Sequence, residues 1–311
     1  MPRIVGLGEA MGELLDLPAG QIALSFAGDV FNTLAYVGML GADAWHTEFV
    51  SAIGRDVLSR RFETFANGLD VSLRVYRDPD SPIGLYMIST DADGERRFSY
   101  WRANSPARRF VDTLQADQRL ALDLADIVYV SGITLAVLHE AQRSALELLC
   151  LKARGRGARI AFDPNYRPAL WNSVEAAQHW VRRFYRISSI VFPGLEDEAA
   201  LFSEATPLSI LNRPEFSGAD AVIIKAGKGG AMCRIGEAVH SSPFVVPPEV
   251  IDTTSAGDGF NAAWLVGAHA GLAPATCLRF ASETASAICA HPGAIVPRTA
   301  LPRLSDLEDP S

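Results

Sequence analysis

The chain predicts a doubly wound α/β fold: a mainly parallel sheet covered by helices on both faces, with a small β-sheet standing off it. Two observations predict this. From about Asp126 onward, short continuous apolar runs alternate with helical stretches, the pattern of parallel strands buried on both faces. Between residues 71 and 102 the character changes. Residues 83–90 and 95–102 are rich in β-branched and aromatic side chains, and Asp91-Ala92-Asp93-Gly94 between them reads as a hairpin turn.

Taken in order, residues 3–8 read as a short buried strand. Asp29 is placed to cap a helix over about 31–40, with Gly41 as its stop. A strand at 48–53 follows, then a helix over 57–67 ending at Gly68. After the hairpin come a strand at 127–130, a helix at 139–154, a strand at 159–163 and a helix within 173–186. A strand at 190–192, a helix near 196–203 and a strand at 221–224 continue the alternation. Two helices, starting near Ala256 and Ala275, close the chain. No internal repeat or low-complexity linker interrupts it, so residues 1–311 read as one α/β domain.

Composition excludes several classes. The 311 residues carry a net charge of -8, so there is no global basic footprint for nucleic acid, and any anion site must be built from local groups. No apolar run approaches the ~20 residues of a membrane span. Cys150, Cys233, Cys277 and Cys289 lack CxxC spacing and sit among apolar residues, which reads as reduced core thiols and a cytoplasmic setting. The six histidines show no metal-ligand spacing. Gly6-Leu7-Gly8 follows a strand, but the next glycine is Gly12 and Glu9 would face a pyrophosphate, so a dinucleotide site is not expected.

The stretch with most chemistry is Ile251-Asp252-Thr253-Thr254-Ser255-Ala256-Gly257-Asp258-Gly259-Phe260. Small polar residues run straight into an apolar helix, and bare amides at a helix N-terminus make a ready phosphate site. A carboxylate just inside such a site suits proton transfer better than phosphate binding. Asp258 can take the proton of an attacking hydroxyl while neighbouring amides steady the transferred group. The plainer alternative is that Asp252 or Asp258 only caps the helix.

This stretch resembles the DTxGAGD signature of ribokinase-like (PfkB) carbohydrate kinases, with Ser255 where that signature usually has Gly or Ala. Phe26-Ala27-Gly28-Asp29-Val30-Phe31-Asn32 resembles the family's N-terminal GGxxxN signature, and Lys225-Ala226-Gly227-Lys228-Gly229-Gly230 its nucleotide loop. The resemblance covers nearly the whole chain. It implies the ribokinase-like fold, with a β-sheet lid formed by about 10–26 and 71–104. A narrower set is similar to 2-keto-3-deoxygluconate kinases: Gly84-Leu85-Tyr86, Asp93-Gly94-Glu95-Arg96, Tyr100-Trp101-Arg102, Ser131-Gly132-Ile133, Asp163-Pro164-Asn165-Tyr166-Arg167 and Leu170-Trp171.

The resemblance implies that Gly28, Asp29 and Asn32 meet sugar hydroxyls, and that Tyr86, Tyr100, Arg102 and Arg167 surround the rest of the substrate. Asn165, Lys225, Gly227, Gly230, Ser255 and Gly257 would line the ATP side, with Ser282 where an Asn often faces adenine. Gly194 stands where the family's Asn-x-x-Glu magnesium motif begins, which leaves Asp197, or its neighbour Glu198, as the acidic member. The implied reaction moves the ATP γ-phosphate, with Mg2+, to the 6-hydroxyl of 2-keto-3-deoxygluconate. Asp258 is the base, and the Ala256 and Gly257 amides steady the group in flight. Arg102 or Arg167 fits a sugar acid because a planar guanidinium grips a carboxylate with two parallel hydrogen bonds. A neutral sugar such as fructose, the galactonate epimer, and a sugar-binding protein without turnover remain the alternatives. The family's pairing of lids implies a homo-oligomer.

Overall fold

The computed structural model describes residues 1–17, 20–41, 44–90, 96–203 and 206–307. The Asp91–Gly94 turn and the Asp93-Gly94-Glu95 part of its motif lie outside them. In chain order the strands are β1 (Arg3–Leu7), β2 (Met11–Leu17), β3 (Gln21–Ala27), β4 (His46–Ile53), β5 (Val71–Arg77), β6 (Gly84–Thr90), β7 (Arg96–Trp101), β8 (Ile127–Ser131), β9 (Arg159–Asp163), β10 (Ile190–Val191), β11 (Ala221–Lys225), β12 (Ala231–Ile235) and β13 (Ala238–Ser242). The helices are α1 (Asp29–Gly41), α2 (Val57–Asn67), α3 (Ala116–Asp123), α4 (Gly132–Val137), α5 (Glu140–Gly155), α6 (Val174–Ile187), α7 (Leu195–Phe202), α8 (Pro207–Leu211), α9 (Ala256–His269) and α10 (Pro274–Cys289).

Nine strands form the main sheet in the order β13-β12-β11-β10-β9-β8-β1-β4-β5. Seven of them, β5 through β11 in that order, run parallel, and β12 and β13 add an antiparallel edge. Alternation along each strand splits the core into two layers. Ile4, Ile127 and Tyr129 face the layer of α1, α2, α9 and α10, while Val5, Leu7, Val128 and Val130 face the layer of α5 and α6. A strand buried on both faces has no polar side to show, which is why these segments read as unbroken apolar runs.

The second sheet has the order β3-β2-β6-β7. Two corrections follow. Residues 71–77, expected in the lid, pair in parallel with β4 as the edge of the main sheet. The β12–β13 hairpin was not anticipated, although Gly236, at φ 58 in its two-residue turn, is the glycine such turns favour. Asp56 caps α2, accepting from the amides of Leu58 and Ser59 at 2.9 and 3.1 Å.

From β1 the chain builds the sheet outward on one side, to β4 and β5, and from β8 it builds outward on the other, to β9, so β1 and β8 flank the point where strand order reverses. In open α/β sheets ligands bind beyond the carboxyl ends of the strands at such a point. A cavity of about 790 Å³ lies there, lined by Glu9 after β1, Ile133 after β8, Asp163 and Asn165 at the end of β9, Gly194 after β10 and Lys225 at the end of β11.

Candidate active site

Two helix N-termini and the small sheet build this cleft. Asn32, in the first turn of α1, donates from Nδ2 to Asp258 Oδ2 at 2.9 Å, and Asp258 lies in the first turn of α9. The two signature stretches, more than two hundred residues apart in sequence, are joined at that bond. Asp258 is 8% exposed. Burial, with Asp29 and Asp163 nearby, holds its carboxyl well above the ordinary carboxylate range, while Asn32 and Lys225 pull it back. Neither Asp252 nor Asp258 is the N-cap of α9, a position held by Ser255. Asp252 braces the loop, accepting from the amides of Thr254 at 2.8 Å and Gly293 at 3.0 Å, whereas Asp258 faces the cleft.

Ser255 enters α9 with φ 61, a left-handed conformation that favours glycine. Its hydroxyl turns away, donating to the Ala294 carbonyl and lying 3.3 Å from the Tyr36 hydroxyl. Ala256 is not on the cleft wall, and its amide donates to the Thr253 carbonyl at 3.3 Å. Gly257 is exposed on the wall, and a β-carbon there would lie 3.8 Å from Lys225 Nζ.

Asp29 holds a network. Its carboxylate accepts from the Ser131 hydroxyl and from Asn165 Nδ2 at 2.9 Å, and burial raises its proton affinity. Asn165 sits at φ 33, secured by its own amide donating to Asp163 Oδ1 at 3.0 Å. Lys225 Nζ and Asn261 Nδ2 both donate to Asp163 Oδ2. Sequence reasoning passed over Ser131, Asp163 and Asn261. Asp163 and Ser131 stood inside quoted motifs, and a polar Asn261 within an apolar helix was the signal for the third.

On the small sheet, Tyr86 and Tyr100 are cross-strand partners with ring centroids 6.0 Å apart, and Phe98 stacks at 6.3 Å from Tyr100. All three line the cleft, and Phe98 was not anticipated. The Tyr86 hydroxyl donates to Glu13. Arg102 lines the cleft too, but its Nη2 is already paired with Glu9. Arg167 is half-exposed, donating to its neighbour's carbonyl at 3.0 Å and lying 3.7 Å from Asp197 Oδ1.

Of the expected residues, the cleft gathers Gly28, Asp29, Asn32, Tyr86, Tyr100, Arg102, Asn165, Arg167, Asp197, Lys225, Gly227, Ser255, Gly257 and Asp258. It does not gather Gly230 or Ser282. Gly230 has φ 84, and a β-carbon there would lie 2.3 Å from the Ser242 carbonyl oxygen, so this glycine serves the close approach of two chain segments. Ser282 is half-buried on α10. Between the two acidic candidates, Asp197 is on the cleft wall. Glu198 is fully buried and takes hydrogen bonds from Tyr185 and Arg213.

The profile of pfkB family carbohydrate kinases matches residues 3–301. The chain belongs to the pfkB family of carbohydrate kinases. Within it, this PfkB kinase is 35% identical over 312 residues to a 2-dehydro-3-deoxygluconokinase of Haemophilus influenzae, covering 98% of each chain. It is 35% identical over 310 residues to the 2-dehydro-3-deoxygluconokinase of Escherichia coli K12, covering 96% of this chain and 99% of that one. In structure it resembles a putative ribokinase II of E. coli in complex with ATP and Mg2+, with a TM-score of 0.81 at 19% identity, over 99% of this chain and 98% of that one.

Proposed function

We propose that this PfkB kinase transfers the γ-phosphate of ATP to the 6-hydroxyl of 2-keto-3-deoxygluconate (2-dehydro-3-deoxygluconate). The observation that carries the reading is one cleft that holds Asp258 at a helix N-terminus together with the guanidinium groups of Arg102 and Arg167. The first suits an attacking alcohol, the second a carboxylate. The 35% identity with 2-dehydro-3-deoxygluconokinases over nearly the whole chain supports the same substrate.

In this reading Asp258 accepts the proton of the 6-hydroxyl as that oxygen attacks the γ-phosphorus. The bond from the γ-phosphorus to the β,γ-bridging oxygen breaks, and ADP leaves. The exposed Gly257 and the positive end of α9 stabilise charge on the equatorial oxygens. Asn32 fixes the carboxylate that takes the proton, and Asp29 and Tyr100 meet the sugar. Lys225 and Gly227 face the phosphates of ATP.

The residues fit ATP arriving with its cation. Six carboxylates against three cations line the cleft, so a polyphosphate needs a divalent partner there. Among the described residues no group of three or more His, Cys, Asp or Glu could hold a metal. Asp197 therefore offers a single carboxylate beside the phosphates, and Mg2+ supplies charge neutralisation when bound with ATP. We also read the small sheet as a lid that pairs with a second copy. Both its edge strands, β3 and β7, lack an outer partner among the described residues, and Ile22 and Trp101 on them are exposed.

The test is product identity. Enzyme incubated with ATP and 2-keto-3-deoxygluconate is expected to release ADP and a sugar whose phosphorus couples to the C6 protons in NMR. Phosphate on another carbon, or ADP without phosphosugar, overturns the reading.

A further inference from the structure

The chain crosses between the two sheets four times: after β1, after β3, before β6 and after β7. One residue touches all four crossings. Glu9, just past β1, is 4% exposed, and its Oε2 accepts from Nη2 of Arg102, the residue after β7. A β-carbon on Gly28, after β3, would lie 2.1 Å from the Glu9 carbonyl oxygen. A β-carbon on Gly84, at the start of β6, would lie 3.1 Å from Glu9 Oε1 and 3.3 Å from Arg102 Cβ. Both glycines leave the room that Glu9 and Arg102 fill.

Arg102 is itself only 8% exposed. A buried guanidinium without a counter-charge is costly and turns toward water when it can. Glu9 is the acidic partner that keeps it on the cleft wall. The pairing is also incomplete, since Glu9 Oε1 and Arg102 Nε are buried without a hydrogen-bond partner among the described residues. A guanidinium held at one nitrogen still has donors to offer a ligand. Glu9 thus fixes which edge of Arg102 is spent and which is presented.

We infer that Glu9 is a positioning residue for substrate charge: it anchors Arg102 to the junction of the sheets so that the free edge of the guanidinium meets the carboxylate of the sugar acid. This rests on the functional reading above. Gly28 then has a reason beyond sugar contact, because any side chain there would displace the Glu9 backbone.

The test compares wild type with Glu9→Ala, Glu9→Gln, Arg102→Ala and the Glu9→Ala/Arg102→Ala double variant. Each is assayed on 2-keto-3-deoxygluconate and on the neutral analogue with a primary alcohol in place of the carboxylate. Glu9→Ala is expected to lower the acid-to-neutral ratio of kcat/KM at least tenfold, chiefly through KM for the acid. Glu9→Gln, which keeps an oxygen acceptor for Arg102 in the same shape, is expected to restore most of it. The double variant should be no worse than Arg102→Ala, because Glu9 acts through that residue. Equal losses on both ligands, or additive losses in the double variant, overturn the inference and leave Glu9 a structural residue. A Glu9→Gln protein that folds but shows no rescue over Glu9→Ala overturns it as well. A wild type that prefers the neutral analogue overturns the functional reading itself, a result separate from any variant.

Discussion

A carboxylate that takes a proton from an alcohol must first be ionised, yet burial makes Asp258 costly to ionise. Reasoning from the free side chain alone would place its pKa near an ordinary aspartate, at about 3.9, and miss this tension. The structure raises it, chiefly by desolvation, and the consequence has a definite sign. A folded-state pKa above the unfolded one means the native protein binds protons more tightly. Stability at this site is therefore lost as pH rises from the unfolded value through the folded one. Asp258→Asn removes that penalty. The variant is expected to melt at least roughly 2 °C above wild type at pH 7.5, with the gain shrinking as pH falls toward the unfolded aspartate value, as calorimetry can follow. Its kcat should drop by roughly 10²–10⁴, the usual worth of a general base. In wild type the acid limb of kcat/KM should sit above the ordinary carboxylate range. A variant with near-native turnover would remove Asp258 from the chemistry.

Among the elements, the turn between β11 and β12 shows what sequence can and cannot disclose. Gly227 lines the cleft at φ 52, and a β-carbon there meets nothing within 4 Å. A side chain at this position is both strained and aimed at open cleft. Gly227→Val is expected to raise KM for ATP at least tenfold while KM for the sugar moves little, read from initial rates with each substrate varied in turn. Gly230, three residues on, looked equivalent in the motif but serves the approach to Ser242. Glycines are legible as a loop, and their separate reasons depend on what packs against each. The same holds elsewhere. The parallel strands were readable because burial on both faces leaves its mark in every residue, and the end of 57–67 could be set by Gly68. Residues 71–77 misled because an edge strand beside solvent mixes polar and apolar residues, as a lid strand does. Glu9 was unreadable as a site residue, since its partner Arg102 is 93 residues away, and Asp163, though inside a motif, finds its partner Lys225 62 residues away.

For the molecule as a whole, the question is how an acidic chain with a net charge of -8 holds two anionic substrates. The proposed function places the answer in one cleft. In the proposed reading a helix N-terminus and Lys225 serve the phosphates, and Arg102 and Arg167 serve the sugar acid, so attraction is local against an unfavourable overall field. Such a design discriminates by charge. A hydrogen bond between charged groups is worth about 1.5–3 kcal/mol, which corresponds to roughly ten- to a hundredfold in kcat/KM. The most direct measurement is kcat/KM by ADP release for 2-keto-3-deoxygluconate, its galactonate epimer, fructose and ribose, with wild type and Arg167→Ala side by side. A 2-keto-3-deoxy acid is expected to be the best substrate of the wild type, and Arg167→Ala to lower its kcat/KM at least tenfold while the neutral sugars change little. Faster phosphorylation of fructose or ribose than of either acid would contradict it, and the arginines would then be ordinary charges at the edge of the cleft.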